Sequence, residues 1–244
     1  MLLLKKYLWS EVSLATISIV LMVSCGQPEK EYYPGGRIKR ILSYNERGEL
    51  HGCIKYFNEW GRIIKEEIWA NGKRQGIART YSFNGSLLSE STYADHKLHG
   101  SYKEFYDNGS LKVQCHFDRG ELHGIYETFY KSGIPEKQMH YDHGIRHGTE
   151  SHYYPNGEIR FLAQYIQGNL WGTALEFYET GALQTMVTYR NGLKEGIAKQ
   201  YYLNGQPFLE MLYRRDQDIG PVSYDQWGNL IMPPPKKIDI NLGQ

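Results

Sequence analysis

Glycines set the frame of this chain. Gly52, Gly76, Gly100, Gly124, Gly148, Gly172, Gly196 and Gly220 follow one another every 24 residues without a slip, and a fixed period of that length marks a repeat architecture. A second series, nine residues later, runs through Gly61, Gly85, Gly109, Gly133, Gly157, Gly181 and Gly205. A third, four residues before the first, holds Gly48, Gly72, Gly120, Gly144, Gly168 and Gly192, with His96 and Asp216 where glycine is missing. With Gly228 these positions take in 22 of the 26 glycines, so glycine here serves backbone turns and not phosphate loops.

Aromatic residues keep the same beat. Five residues after each of the first seven glycines of the first series come Phe57, Tyr81, Phe105, Phe129, Tyr153, Phe177 and Tyr201, and seventeen after it come Trp69, Tyr93, Phe117, Tyr141, Tyr165, Tyr189 and Tyr213. Between turns the apolar residues alternate: Leu111, Val113, Cys115 and Phe117 are interleaved with Lys112, Gln114 and His116, the period of a half-buried strand. Segments such as Asp107-Asn108-Gly109 and Pro155-Asn156-Gly157 carry Asn-Gly turn chemistry that tolerates positive φ. The reading is an all-β chain in which each repeat is two antiparallel strands and the whole is a repetitive antiparallel β-hairpin meander of about eight repeats.

Two segments carry a family resemblance: Asp118-Arg119-Gly120-Glu121-Leu122-His123-Gly124 and Tyr154-Pro155-Asn156-Gly157-Glu158-Ile159. They resemble the MORN-repeat variant of bacterial proteins of the YwqK-family antitoxin of toxin–antitoxin systems, over about residues 37–230. The resemblance implies a MORN-like β array and a protein partner, a cognate toxin, with the chain acting as an antitoxin or immunity protein. Such repeats specify a fold far better than a role. Aromatic hairpin repeats also resemble the choline- and glucan-binding repeats of bacterial surface proteins, which implies envelope glycan binding or a structural scaffold as the alternative.

The amino terminus gives an address. Lys5 and Lys6 precede an uncharged run from Val12 to Ser24, shorter than the roughly 20 residues a spanning helix needs and right for a signal-peptide core. Met22-Val23-Ser24-Cys25 resembles the lipobox of bacterial lipoproteins, which implies lipid attachment at Cys25; an ordinary secretory signal or a plain anchor is the alternative. Gly26 after the cysteine does not match the inner-membrane retention rule of that family, so the implied site is the outer membrane of a bacterial envelope. The expected organisation is a lipoprotein signal peptide over 1–24, a tether over 25–36, the array over 37–231 and a disordered Pro-rich tail over 232–244. Losing residues 1–24 removes Lys5, Lys6 and Glu11 and leaves the charges balanced. A neutral chain has no field to steer nucleic acid or anionic lipid, so attachment to the membrane falls to the acyl chains.

Candidate chemistry is sparse. His51, His99, His123 and His147 each precede a first-series glycine, and equivalents in neighbouring repeats lie about 9.6 Å apart, too far to share one zinc ion. His140, His143 and His147 form the one local metal candidate; a turn residue of the repeat is the better reading, and no metal or cofactor is expected. Cys53 and Cys115 fall roughly 24 Å apart, beyond disulfide reach, and read as small core residues. Glu66, Glu67 and Glu158 read as solvated strand faces. No nucleophile elbow, Walker loop or dinucleotide fingerprint is present, so no enzyme is expected. The most suggestive surface feature is the row Tyr106, Tyr130, Tyr154, Tyr178 and Tyr202. Each follows a core aromatic and is expected on the opposite face of the sheet, as a ladder for a partner protein or glycan, or as a cover for that face.

Overall fold

The computed structural model describes residues 28–224 and 230–231; the expected signal peptide, Cys25 and the Pro-rich tail lie outside them. From Glu29 to Pro221 the chain folds as one 19-stranded sheet in which strands adjacent in sequence pair antiparallel, and Ser223–Tyr224 pairs separately with Leu230–Ile231. The all-β meander read from the repeats is the observed fold.

One repeat explains the rest. Strand Lys97–Phe105 enters a connection in which the Tyr106 N–H bonds to the Ser110 carbonyl and the Gly109 N–H to the Tyr106 carbonyl, both at 2.8 Å. Gly109, at φ 83°, is the left-handed residue that closes this bulged loop, whereas Asn108 does not have positive φ. Asn108 does other work: its Oδ1 accepts the Ser110 N–H at 3.1 Å, and its Nδ2 reaches the Lys131 carbonyl of the next repeat at 3.4 Å. Strand Leu111–Asp118 follows, and then a two-residue turn with both residues at positive φ, Arg119 at 48° and Gly120 at 95°. The second glycine series thus closes the longer hairpin loops at positive φ, as its turn chemistry implies, and the third supplies the two-residue turns. Their stacking is fixed by the backbone: the Gly120 N–H bonds to the Leu98 carbonyl and the Gly144 N–H to the Leu122 carbonyl, each at 2.7 Å.

The opposite edge is stapled by the tyrosine row. The hydroxyls of Tyr106, Tyr130, Tyr154 and Tyr178 donate to the carbonyls of Phe129, Tyr153, Phe177 and Tyr201, at 2.7–2.8 Å. These tyrosines head the turn, where strand alternation no longer applies, so the expected ladder on the far sheet face is replaced by a link between consecutive repeats. Tyr202 is exposed and stacks on Phe208, ring centroids 4.6 Å apart. A Tyr130→Phe variant, keeping the ring and losing only the hydroxyl, is expected to cost about 1 kcal/mol of unfolding free energy in a urea titration.

The array starts earlier than expected. Glu29–Tyr32, placed in the tether by sequence, is its first strand and pairs with Ile38–Leu42. Arg40 grips Glu31 through two 2.6 Å hydrogen bonds, and the Tyr33 hydroxyl makes the same staple to the Phe57 carbonyl at 2.8 Å. The extra residue near Gly48 hid this equivalence by shifting the register by one.

The core is a row across one sheet face. Pairings such as Ile54 with Glu67, Ala78 with Ser91, and Glu150 with Ala163 line up the buried side chains of successive strands, and half-buried Tyr102 pairs with buried Cys115 in the same row. The aromatics seventeen residues after each glycine flank it, with Phe117 edge-on to Tyr102 at 5.9 Å and Tyr141 to Tyr126 at 6.3 Å. Cys115 is buried in this row, while Cys53 is half-buried on the other face; both are free thiols.

Candidate functional site

Because equivalent positions in the repeats have the same environment, a residue that breaks its column stands out. The column two residues after each first-series glycine reads Ile54, Ala78, Tyr102, Tyr126, Glu150, Ala174, Ala198 and Val222. Glu150 is 5% exposed in the core row. His152 Nε2 lies 2.6 Å from its Oε1 and Arg146 3.3 Å from its Oε2, with the Arg146 guanidinium also 5.3 Å over the Tyr165 ring. Burial pushes this carboxyl upward, but the His152 hydrogen bond and the Arg146 charge outweigh burial and hold it below its ordinary 4.5. Glu150 opens into a cavity of about 430 Å³ lined also by Tyr154, Arg160, Phe161 and Glu176. Such a surface, charged at both signs and carrying aromatic rings, suits a ligand rich in hydroxyls.

Glu67 is the second break, in a column that otherwise reads Ser91, Cys115, Met139, Ala163, Val187 and Met211. Expected on a solvated face, it is 1% exposed. Lys65 stands 2.7 Å and Arg74 3.1 Å from its Oε1, and the Tyr56 hydroxyl donates to Oε2 at 3.0 Å. Burial again opposes ionisation and is overcome, chiefly by the Lys65 hydrogen bond and charge, so this carboxyl too is lowered. Glu66, on the other face, is half-buried and not solvated as expected, with Lys55 at 3.4 Å and the Tyr81 hydroxyl donating to it at 2.9 Å. Both lowered carboxyls bind fewer protons folded than unfolded, so their stabilisation is complete above about 4.5 and is lost as pH falls through their folded values. The melting temperature is therefore expected to hold from neutrality to about pH 5 and fall below it, with a shallower fall in Glu150→Gln.

The histidines divide by position. His51 and His99 accept the N–H of the tight-turn residues Asn71 and Arg119, each at 3.4 Å, the turn role expected for them. His140 Nδ1 lies 3.0 Å from the Thr149 carbonyl. The candidate grouping of His140, His143 and His147 does not form; His143 meets His123 and Asp142 instead, their ligand atoms within 4.8 Å of one another. Comparing equivalent positions could not find this corner, since His123 and His143 occupy different places in the repeat.

Two exposed apolar features were also missed. Trp60 and Phe83, at the tips of neighbouring long turns, meet edge-on at 5.0 Å, with Arg62 5.3 Å over the Phe83 ring. On the tight-turn edge, Ile145, Ile166 and Trp171 are 52%, 44% and 39% exposed. Their columns hold Glu49, Lys73, Lys97, Glu121, Asn169 and Leu193 beside Ile145, Ala70, Ala94, Asp118, Asp142, Arg190 and Arg214 beside Ile166, and His51, Gln75, His99, His123, His147, Glu195 and Ile219 beside Trp171. A column scan of the sequence would have shown all three.

No curated protein is significantly similar to the chain. A solved structure entitled "Crystal Structure of TcdB2-TccC3" aligns with 83% of this chain at 13% identity and a TM-score of 0.22. This chain spans 15% of that one's length, and so loose a superposition carries no weight here. The family model for the MORN repeat variant matches residues 74–95, 98–119, 122–143, 146–167, 172–191 and 194–215, more than half of the chain. Each match holds the stacked tight turn and the aromatic columns described above, and the chain belongs to the MORN repeat variant family.

Proposed function

We propose that the chain is a non-catalytic repeat module, anchored to a bacterial envelope through lipid on Cys25, that binds a protein partner along its tight-turn edge. The observation that carries this reading is the trio Ile145, Ile166 and Trp171, exposed in columns that, apart from Leu193 and Ile219, hold charged, small or polar residues. Exposed apolar side chains gathered on one edge are what a protein interface uses. The repeat's own consensus residues are occupied in turns and staples, which leaves recognition to such departures. A cognate toxin fits as the partner, making the chain an antitoxin or, in the envelope, an immunity protein.

The test is affinity capture of the full-length chain from detergent-solubilised native membranes, with Trp171→Glu and Tyr130→Phe side by side. One stoichiometric protein, kept by Tyr130→Phe and lost by Trp171→Glu, is expected; retention by both variants would discard this edge. Loss of the membrane fraction in Cys25→Ser checks the anchor. The Glu150 cavity favours a second reading, envelope glycan binding, for which retention on purified cell-wall polysaccharide should disappear in Arg160→Ala.

A further inference from the structure

The stacked tight turns repeat one corner seven times. Each corner joins the residue before a first-series glycine to the residues eighteen and nineteen after it. Successive corners read His51, Ala70, Asn71; Gln75, Ala94, Asp95; His99, Asp118, Arg119; His123, Asp142, His143; His147, Ile166, Gln167; Trp171, Arg190, Asn191; and Glu195, Arg214, Arg215. In the first three and the last, the leading side chain accepts the backbone N–H of the turn, at 3.0–3.4 Å. Only the fourth carries three metal-ligating side chains. There the His143 Nδ1 lies 2.7 Å and the His123 Nδ1 3.4 Å from Asp142 Oδ1, with the two imidazoles 4.7 Å apart between centroids.

We propose that His123, Asp142 and His143 bind a divalent transition-metal ion of the zinc class. Neighbouring ligands of a tetrahedral ion with bonds of about 2.0 Å stand roughly 3.3 Å apart, a value the two separations bracket. Two imidazoles and one carboxylate suit zinc, nickel or copper, whereas calcium and magnesium take all-oxygen sets. On binding, the ion takes the place of the direct contact between Asp142 and His143.

A second observation supports the site. Asp118, from the preceding corner, places Oδ2 3.6 Å from His143 Nε2, the ring nitrogen that the ion would not use. Its other oxygen lies 3.2 Å from His99 Nδ1. A carboxylate behind a ligating histidine is the arrangement that fixes ring orientation and tautomer in metal sites. The three ligand side chains are 46%, 63% and 56% exposed, so the site has entry from solvent and open coordination positions for water or a donor from another molecule.

The test is calorimetric titration of the metal-stripped full-length chain with ZnCl2, repeated with CoCl2 under absorption spectroscopy. One equivalent of zinc is expected, with cobalt bands lacking thiolate charge transfer, which separates this site from Cys53. His143→Asn is the decisive variant, because asparagine already fills the same turn position at Asn71 and Asn191, with φ of 50° and 51°. It should retain the metal-free melting temperature and lose binding at least tenfold, and Asp118→Asn should weaken it about tenfold or more. Absence of zinc binding at micromolar concentrations, or binding unchanged in His143→Asn, overturns the proposal.

Discussion

A chain lacking residues 125–148 is expected to fold and to melt within a few degrees of the parent, whereas one lacking residues 125–147 is expected to lose its cooperative transition beyond the cut. The first deletion joins Gly124 to Thr149 and keeps every later residue in its column. Gly124 then takes the place of Gly148, both at positive φ, and the strand after it meets Leu111–Asp118 in the old register. In a quasi-one-dimensional array each repeat touches only its neighbours, so the loss is one repeat and one interface, a net effect on the order of 1 kcal/mol. The second deletion moves everything from Gly148 onward by one place. Since side chains alternate faces, Ala163, Ala174 and the rest of the buried row would turn outward together. Thermal unfolding followed by far-ultraviolet circular dichroism distinguishes the two, and comparable curves would refute strict register as the basis of stability.

Gly148→Ala is expected to cost about 2–4 kcal/mol, and Gly124→Ala about 1–2 kcal/mol. Both glycines interrupt a strand at positive φ, 100° and 83°, where an L side chain is strained. They differ in what the new methyl would meet. At Gly124 nothing lies within 4 Å, but at Gly148 the added Cβ would stand 3.3 Å from His140 Cβ. A Cβ is carried by the backbone and cannot rotate away, so the His140 strand must shift, which disturbs its ladder with the Gly148 strand, where Met139 pairs with Glu150 and Tyr141 with Arg146. Equal losses in urea unfolding would show that crowding against His140 plays no part.

What was legible from residues alone was whatever depends on local backbone preference at fixed spacing. The glycines and alternating strands are of this kind, because positive φ and strand alternation are imposed residue by residue, and they defined an all-β meander before any contact was known. The fate of Asn108 and the tyrosine row was not legible. A residue at the head of a turn leaves the strand's alternation, and the Tyr130 hydroxyl finds its acceptor on Tyr153, 23 residues away, only after the repeats have stacked. The same holds for Glu67 and Glu150, whose burial is set by which face the stacked strands close over. It holds too for His123 and His143, which differ in repeat position and meet because the tight turn of one hairpin lies against the strand before it. The period determined the fold; the offset between stacked turns, a product of tertiary hydrogen bonds such as Gly144 to Leu122, decided which side chains share a site.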